Sequence, residues 1–232
     1  MPSHPFSIVG QGVYSFSDAA RLTGVPSRRV RRWVQGYDFK HAGSVRHSGP
    51  VVRRDAEPAD QTLWLSFADL VEVRFIHAFR SSGVSWATIR VAAERASELL
   101  HRDHPFSSRS FKTDGRSILT EIARDSDAPE LLDMVRNQLA FKKVLDPHLH
   151  SGFEFGPKDE VARWWHESGQ KRVVIDPTRA FGKPIVAIEA VPTRVLFEAF
   201  RAEGTTDRVA AIFEVSKASV SAAIAFERSL AA

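Results

Sequence analysis

The sequence predicts a mainly α chain with a small β region, an α+β fold, with a winged helix-turn-helix at its N-terminus and a strand region followed by a three-helix helix-turn-helix unit at its C-terminus. Three observations carry that expectation. Apolar residues recur at helical spacing from Tyr14 to Gln35, from Ser66 to about His101 and again from Pro192 to Ala232. Between them the spacing turns to alternation, in Phe153 and Phe155, Val161 to Trp165, Val173 to Ile175 and Ile185 to Ile188. A small residue, a turn residue and an apolar plug also follow one another twice, at Ala20, Gly24 and Val25 and again at Ala210, Glu214 and Val215. The expected organisation is a winged helix-turn-helix head over 1–104, a helix and short-strand linker over 105–189 and a three-helix domain over 190–232.

In the first motif Ser15 caps a helix with Asp18 near its positive end, and Ala19, Ala20 and Leu22 form a small apolar face. Gly24 supplies the positive φ of the turn, and Ser27 is read as the cap of a second helix whose Val30, Trp33 and Val34 point inward. Its outer face carries Arg28, Arg29, Arg31 and Arg32. A helix laid in the major groove needs cations for the phosphates and fork-shaped donors for guanine edges, and Arg serves both. Nine basic residues against two acids up to Arg54 give this segment +7, so the remainder of a chain of net charge +4 carries −3. That local excess points to a polyanion-binding surface, with a solvated arginine-rich face as the bland alternative.

From Tyr37 to Leu63 no period is sustained, and Lys40, Arg46, Arg53 and Arg54 are spread among glycines and prolines. The segment reads as a long, partly disordered wing whose basic residues touch backbone phosphates, or as a mobile loop. Ser66 and Asp69 then start a helix with a stripe of Phe67, Leu70, Val71, Phe75 and Phe79, ended by Ser81-Ser82-Gly83. Ser85 caps the next, with Ile89, Ala92, Ala93, Ala96 and Leu100 inward. A loop containing Pro105, Gly115 and several serines follows, before a helix capped by Asp127 with Pro129 and Glu130 in its first turn, ended by Asp146-Pro147. In the tail, Thr193 to Glu203 is a helix ended by Gly204, Thr206 caps a second and Ser216 a third. Glu214 stands where glycine is usual and must tolerate a strained φ.

The tail is electrostatically unlike the head: from Ala190 onward five basic residues face five acids, and its last helix is rich in small residues. Val220, Ala223 and Ile224 there, with Trp164 and Trp165, are the candidate partner or dimer interface.

Tyr14 to Val25, Leu65 to Leu70 and Gly83 to Arg90 resemble the DNA-binding head of the MerR family over about residues 13–100. The long dimerising helix and Cys site of its sensors have no counterpart. Val174-Ile175-Asp176-Pro177, Phe181 to Val186, Val191-Pro192-Thr193 and the final three helices resemble a small domain of unnamed function found in bacterial antitoxins. A head and tail so joined resemble antitoxins of the VapBC class. The resemblance implies a PIN-domain ribonuclease toxin as partner, repression at the protein's own operator DNA and a homodimer to match a symmetric site. Many such antitoxins end in an extended segment that threads the toxin, whereas this chain closes on a helix, so inhibition is expected to use another surface.

Other chemistry finds little support. There are no cysteines, which excludes thiol and Cys–zinc chemistry and fits a cytoplasmic location. No stretch has the length and apolarity of a membrane span or signal peptide. His148 and His150 could ligate a metal, but no further ligand has a telling spacing, so neither metal nor cofactor is expected and the chain is not expected to be an enzyme. His101 and His104 read as a solvated helix end. Two alternatives stay open: a MerR-like regulator with a small-molecule effector domain, and a small metal-dependent enzyme using the His148 region.

Overall fold

Serine and threonine caps set most of the helix starts in the computed structural model, which describes residues 10–53, 64–126, 129–136, 152–166 and 170–230. The first helix, α1 (Phe16–Thr23), opens with a capping box. Ser15 Oγ accepts from the Asp18 N–H, and the Asp18 carboxylate accepts from the Ser15 N–H. Gly24 closes it at φ +73. In α2 (Ser27–Gln35) the cap is Pro26, not Ser27 as expected. The fixed φ of proline starts the turn one residue early, and the Pro26 carbonyl accepts from the N–H groups of Arg29 and Val30. No side chain bonds to this first turn.

In its described part the wing is a regular hairpin; residues 54–63 of the expected segment lie outside the described residues. Strands β1 (Tyr37–His41) and β2 (Ser44–Ser48) pair antiparallel around a two-residue turn, Ala42-Gly43, with φ +48 and +80. Two successive positive φ values suit the twist of a tight hairpin. At its base Gly36 has φ +76, and a Cβ there would lie 2.6 Å from the Ser48 carbonyl oxygen. Arg54 lies outside the described residues.

Helix α3 (Phe67–Ser81) repeats the capping box with Ser66 and Asp69, and α4 (Trp86–Leu100) is capped by Ser85. The expected loop from Pro105 onward is instead a helix of 17 residues, α5 (Arg109–Asp125), with Ser108 as its cap. Phe111, Ile118, Leu119, Ile122 and Ala123 form its buried stripe. Gly115 costs helix propensity but lets the Phe111 ring lie 3.4 Å from where its Cβ would be. Helix α6 (Pro129–Arg136) follows, and its Glu130 accepts from the Ser85 N–H and the Thr88 hydroxyl at the start of α4. Asp127, Asp146, His148 and His150 lie outside the described residues. An aromatic cluster fills the core here: Phe79 and Phe106 at 5.2 Å, Phe106 and Phe111 at 5.0 Å, Phe75 and Phe111 at 6.1 Å.

His104 is not at a solvated terminus. Its Nε2 lies 2.8 Å from Asp69 Oδ1, with both side chains nearly inaccessible. Beside them Glu72 is buried and accepts from the Ser107 N–H. Burial pushes the Glu72 carboxyl up to about 7, against the opposing pull of His104 and the Ser107 and Phe106 N–H groups.

These helices and the hairpin belong to one compact unit, Tyr14–His150 with Phe155–Val161; a second comprises Met1–Val13, Ser151–Glu154 and Ala162–Ala232. A four-stranded sheet runs in the order β3 (Phe153–Phe155), β4 (Val161–Trp165), β5 (Val173–Ile175), β6 (Ile185–Val186). The last strand stops short of Ile188, which is exposed. Three helices follow, α7 (Thr193–Glu203), α8 (Thr206–Phe213) and α9 (Lys217–Ser229). Thr205 rather than Thr206 caps α8, because its hydroxyl is the one that reaches the Arg208 N–H. Glu214 does adopt the left-handed conformation, at φ +53. No single helix among the described residues is long and apolar enough to cross a membrane.

Four of the five expected interface residues are core. Val220, Ala223 and Ile224 are buried with Val186, Leu196, Val209 and Val215. Their spacing puts them on the inner stripe of α9, leaving Lys217, Ala218, Ser221 and Ala225 outward. Trp164 is buried against Phe153. Trp165, on the opposite face of its strand, is half-buried beneath the Lys171 ammonium, 5.3 Å from its ring.

Candidate nucleic-acid interface

Burying Val30, Trp33 and Val34 fixes which face of α2 meets solvent, and Arg28, Arg29, Arg31 and Arg32 are all exposed on it. Two of them are braced by rings. The Arg31 guanidinium lies over Phe16, 4.9 Å from the ring centre, and that of Arg32 over Tyr37 at 5.0 Å. A guanidinium over a ring loses freedom but keeps its N–H donors at its rim, ready for an anion. The first turn has no acidic residue and no side-chain cap, so its N–H groups add to the field of the arginines.

The hairpin stands next to this surface, at the end of α2. Its root is held by Arg90 of α4, which donates to Ser48 Oγ and to the Gly49 carbonyl at 2.6 and 2.8 Å, and by the Trp33 carbonyl, which accepts from Val51 and Val52. Register separates the two basic residues of the hairpin. Arg46 is opposite Phe39 and Lys40 opposite Val45, so they project from opposite faces. Inserted edgewise, the hairpin offers one cation to each side. Asp38 and His47 pair across the strands at 2.7 Å, which puts a carboxylate on the Lys40 face. Arg53 is drawn elsewhere: it donates to Ser97 Oγ and lies 3.7 Å from Asp103. Of the eight basic residues that the sequence singled out, four share the outer face of α2, two flank the hairpin, Arg53 is engaged by α4 and its neighbour, and Arg54 is outside the described residues.

The second helix-turn-helix has the same skeleton and a different end. The Glu189 carboxylate accepts from the Ser216 N–H and the Ser219 hydroxyl at the start of α9. Burial works to raise its pKa, but these bonds outweigh it and hold the acid below its usual range. The position where a phosphate would dock on α9 is thus taken by the protein's own carboxylate. Sequence reasoning missed Glu189 because its partner Ser216 is 27 residues away. Nothing in local spacing ties the two together. Pro26 was readable as the opener of α2, since proline favours the first turn of a helix.

Comparisons with known proteins match the two ends of the chain to different families. Residues 12–93 match the family described as "Putative DNA-binding HTH domain". Residues 173–226 match the family described as "Protein of unknown function (DUF433)". The "Putative antitoxin VapB45" of Mycobacterium tuberculosis is 25% identical over 209 residues, spanning 85% of this chain and 86% of the relative. The crystal structure of Rv2018 from Mycobacterium tuberculosis has the same fold, with a TM-score of 0.70 at 22% identity over 91% of this chain and 96% of the other. The chain is thus similar at residues 12–93 to a family of putative DNA-binding helix-turn-helix domains and at residues 173–226 to DUF433, a combination that fits a VapB-like antitoxin.

Proposed function

We propose that this protein is the antitoxin of a type II toxin–antitoxin pair, which neutralises a PIN-domain ribonuclease and represses its own operator as a homodimer in the cytoplasm. The observation that carries the DNA half is the contrast between the two helix-turn-helix units. In α2 four exposed arginines surround a first turn that no side chain caps, whereas the start of α9 is filled by Glu189. A polyanion gains charge-assisted hydrogen bonds at the first and meets a carboxylate at the second. The toxin half is supported by the similarity to a relative named as an antitoxin, over most of both chains. Because one recognition helix covers too short a site, two copies on a symmetric operator are the natural arrangement.

The domain division follows the same contrast: a MerR-like head over 1–104 for DNA, and the tail over 190–232, with the strands before it, for partner or self. The outward residues of α9, not Val220 or Ala223, are the ones to test for partner contact. The DNA experiment is a gel shift on the segment upstream of the gene. Arg28→Ala and Arg32→Ala should each weaken binding by about 1–3 kcal/mol if they touch bases. Unchanged affinity in the double variant removes the assignment. For the toxin, co-expression with a neighbouring PIN-type nuclease should yield a stable complex with suppressed RNA cleavage; a nuclease left fully active by a several-fold excess of this chain refutes the antitoxin reading.

A further inference from the structure

Beside α2 a cleft of about 320 Å³ opens towards the end of α3, and it is lined by Arg29, Arg32, Tyr37, His77, Arg80 and Trp86 among others. Its described lining holds three guanidiniums and no carboxylate. Two of the three are fixed in place. Arg32 lies over the Tyr37 ring, and Arg80 lies over the Trp86 ring at 5.1 Å while its Nη1 donates to the Val84 carbonyl at 2.6 Å. Arg29 precedes Arg32 by three residues on the same helix, so their side chains lie on one face. Glu130, whose carboxylate feels the charge of Arg80, is already engaged by Ser85 and Thr88. Burial and the charge of Arg29 both lower the pKa of His77, so the imidazole is neutral near pH 7 and available as a donor or acceptor.

Such a site has concentrated positive charge, donors held in position before any ligand arrives, and aromatic walls. Preorganised guanidiniums bind an anion with little loss of side-chain freedom, and their forks match phosphate oxygens. We propose that this cleft is a seat for a phosphate group, in which Arg80 of α3 closes around the anion together with Arg29 and Arg32 of the recognition helix. Two sources present that chemistry. One is a backbone phosphate of DNA, and this arm rests on the DNA-binding reading above. The other is a free nucleotide, whose phosphate takes up two recognition-helix arginines and whose base meets the aromatic wall; bound there, it competes with DNA.

The test uses the full chain and two probes: a duplex of about 24 base pairs of arbitrary sequence, since phosphate contacts are sequence-independent, and adenosine monophosphate. If DNA is the source, Arg80→Gln lowers the slope of log affinity against log salt by about one, and the nucleotide does not bind. If a free nucleotide is the source, it binds the native chain with a Kd below about 1 mM, binds Arg80→Gln at least about tenfold more weakly, and displaces the duplex. Tyr37→Leu removes the ring under Arg32 without touching α3, and it should weaken the same probe should Arg80→Gln impair folding. Arg28→Ala separates the two readings. If it weakens the duplex while Arg80→Gln and Tyr37→Leu leave affinity and slope intact and the nucleotide fails to bind, the seat is overturned and the DNA-binding reading stands. If the Arg28→Ala, Arg32→Ala double variant leaves binding to the segment upstream of the gene intact, that reading falls, and nucleotide binding alone decides the seat.

Discussion

Glu72→Gln tests the account of the buried acid in α3 through its pH dependence. Glu72 is 4% exposed, accepts from the Ser107 N–H at 3.0 Å, and sits beside the Asp69–His104 pair. Its carboxyl is moved from 4.5 to about 7, with burial as the main cause. Between those two values the unfolded chain gives up this proton while the folded chain keeps it. The folded state therefore binds more protons, and its stability falls as pH rises through the window. At 1.36 kcal/mol per pKa unit the full loss is roughly 3 kcal/mol, reached above about pH 7. Gln keeps an oxygen for the Ser107 N–H and removes the ionisation. Its amide adds an offset that does not depend on pH, so the quantity to measure is a difference of differences. Urea unfolding of both chains at pH 4.5 and pH 8 should show the variant gaining about 2–3 kcal/mol on the native chain between the two. Titrating groups that do not interact with Glu72 cancel in that comparison, while Asp69 and His104, which do, enter the same difference. A gap that stays constant with pH would falsify the assignment of a buried, proton-holding carboxyl.

Gly36→Ala places a Cβ 2.6 Å from the Ser48 carbonyl oxygen at a φ of +76, so it should cost about 1–3 kcal/mol in thermal unfolding and loosen the hairpin root; an unchanged melting temperature contradicts the close approach. Glu189→Ala frees the start of α9 and should cost on the order of 1 kcal/mol at pH 7. Because the acid is held below its usual range, that contribution is present above the ordinary carboxylate pKa and fades as pH falls through the folded value, so the two chains should converge in urea unfolding in strong acid. Val220→Ala, at a fully buried position, should lower stability by about 2 kcal/mol with no specific loss of partner affinity; the opposite pattern returns Val220 to the interface.

Local signals in the sequence were sufficient where a residue acts on its near neighbours. The capping boxes of Ser15 and Ser66, the turn at Gly24, the outward arginines of α2 and the strained Glu214 all involve groups within a few residues of each other. Helix α5 was missed because Gly115 and its serines lower helix propensity, although Phe111, Ile118, Leu119 and Ile122 keep the period. Packing of those residues against Phe75 and Phe106 is what overrides the propensity. His104 bonds to Asp69, 35 positions earlier, and a contact of that range leaves no local trace. The small and apolar residues of α9 suit close packing, and Val220, Ala223 and Ile224 find it in the protein's own core. The candidate DNA surface was legible in its charges. The bracing rings, the hairpin register and the placing of Arg80 beside Arg29 and Arg32 needed the fold.

The open first turn of α2 also has a consequence for the free protein. Arg28 and Arg32 stand four residues apart, and Arg28 and Arg31, like Arg29 and Arg32, stand three apart, so like charges meet along one face. Each such pair weakens a helix by a few tenths of a kcal/mol. With no cap to offset this repulsion, α2 keeps its shape mainly because Val30, Trp33 and Val34 are docked in the core. In the unbound state it should breathe more than α1, whose box is closed, and amide exchange is the observable that ranks the two. A bound polyanion both screens the arginines and fills the empty terminus. On the role proposed for α2, part of the affinity for DNA is expended on quieting this helix, and DNA should raise the temperature at which the protein unfolds as well as slow exchange in α2.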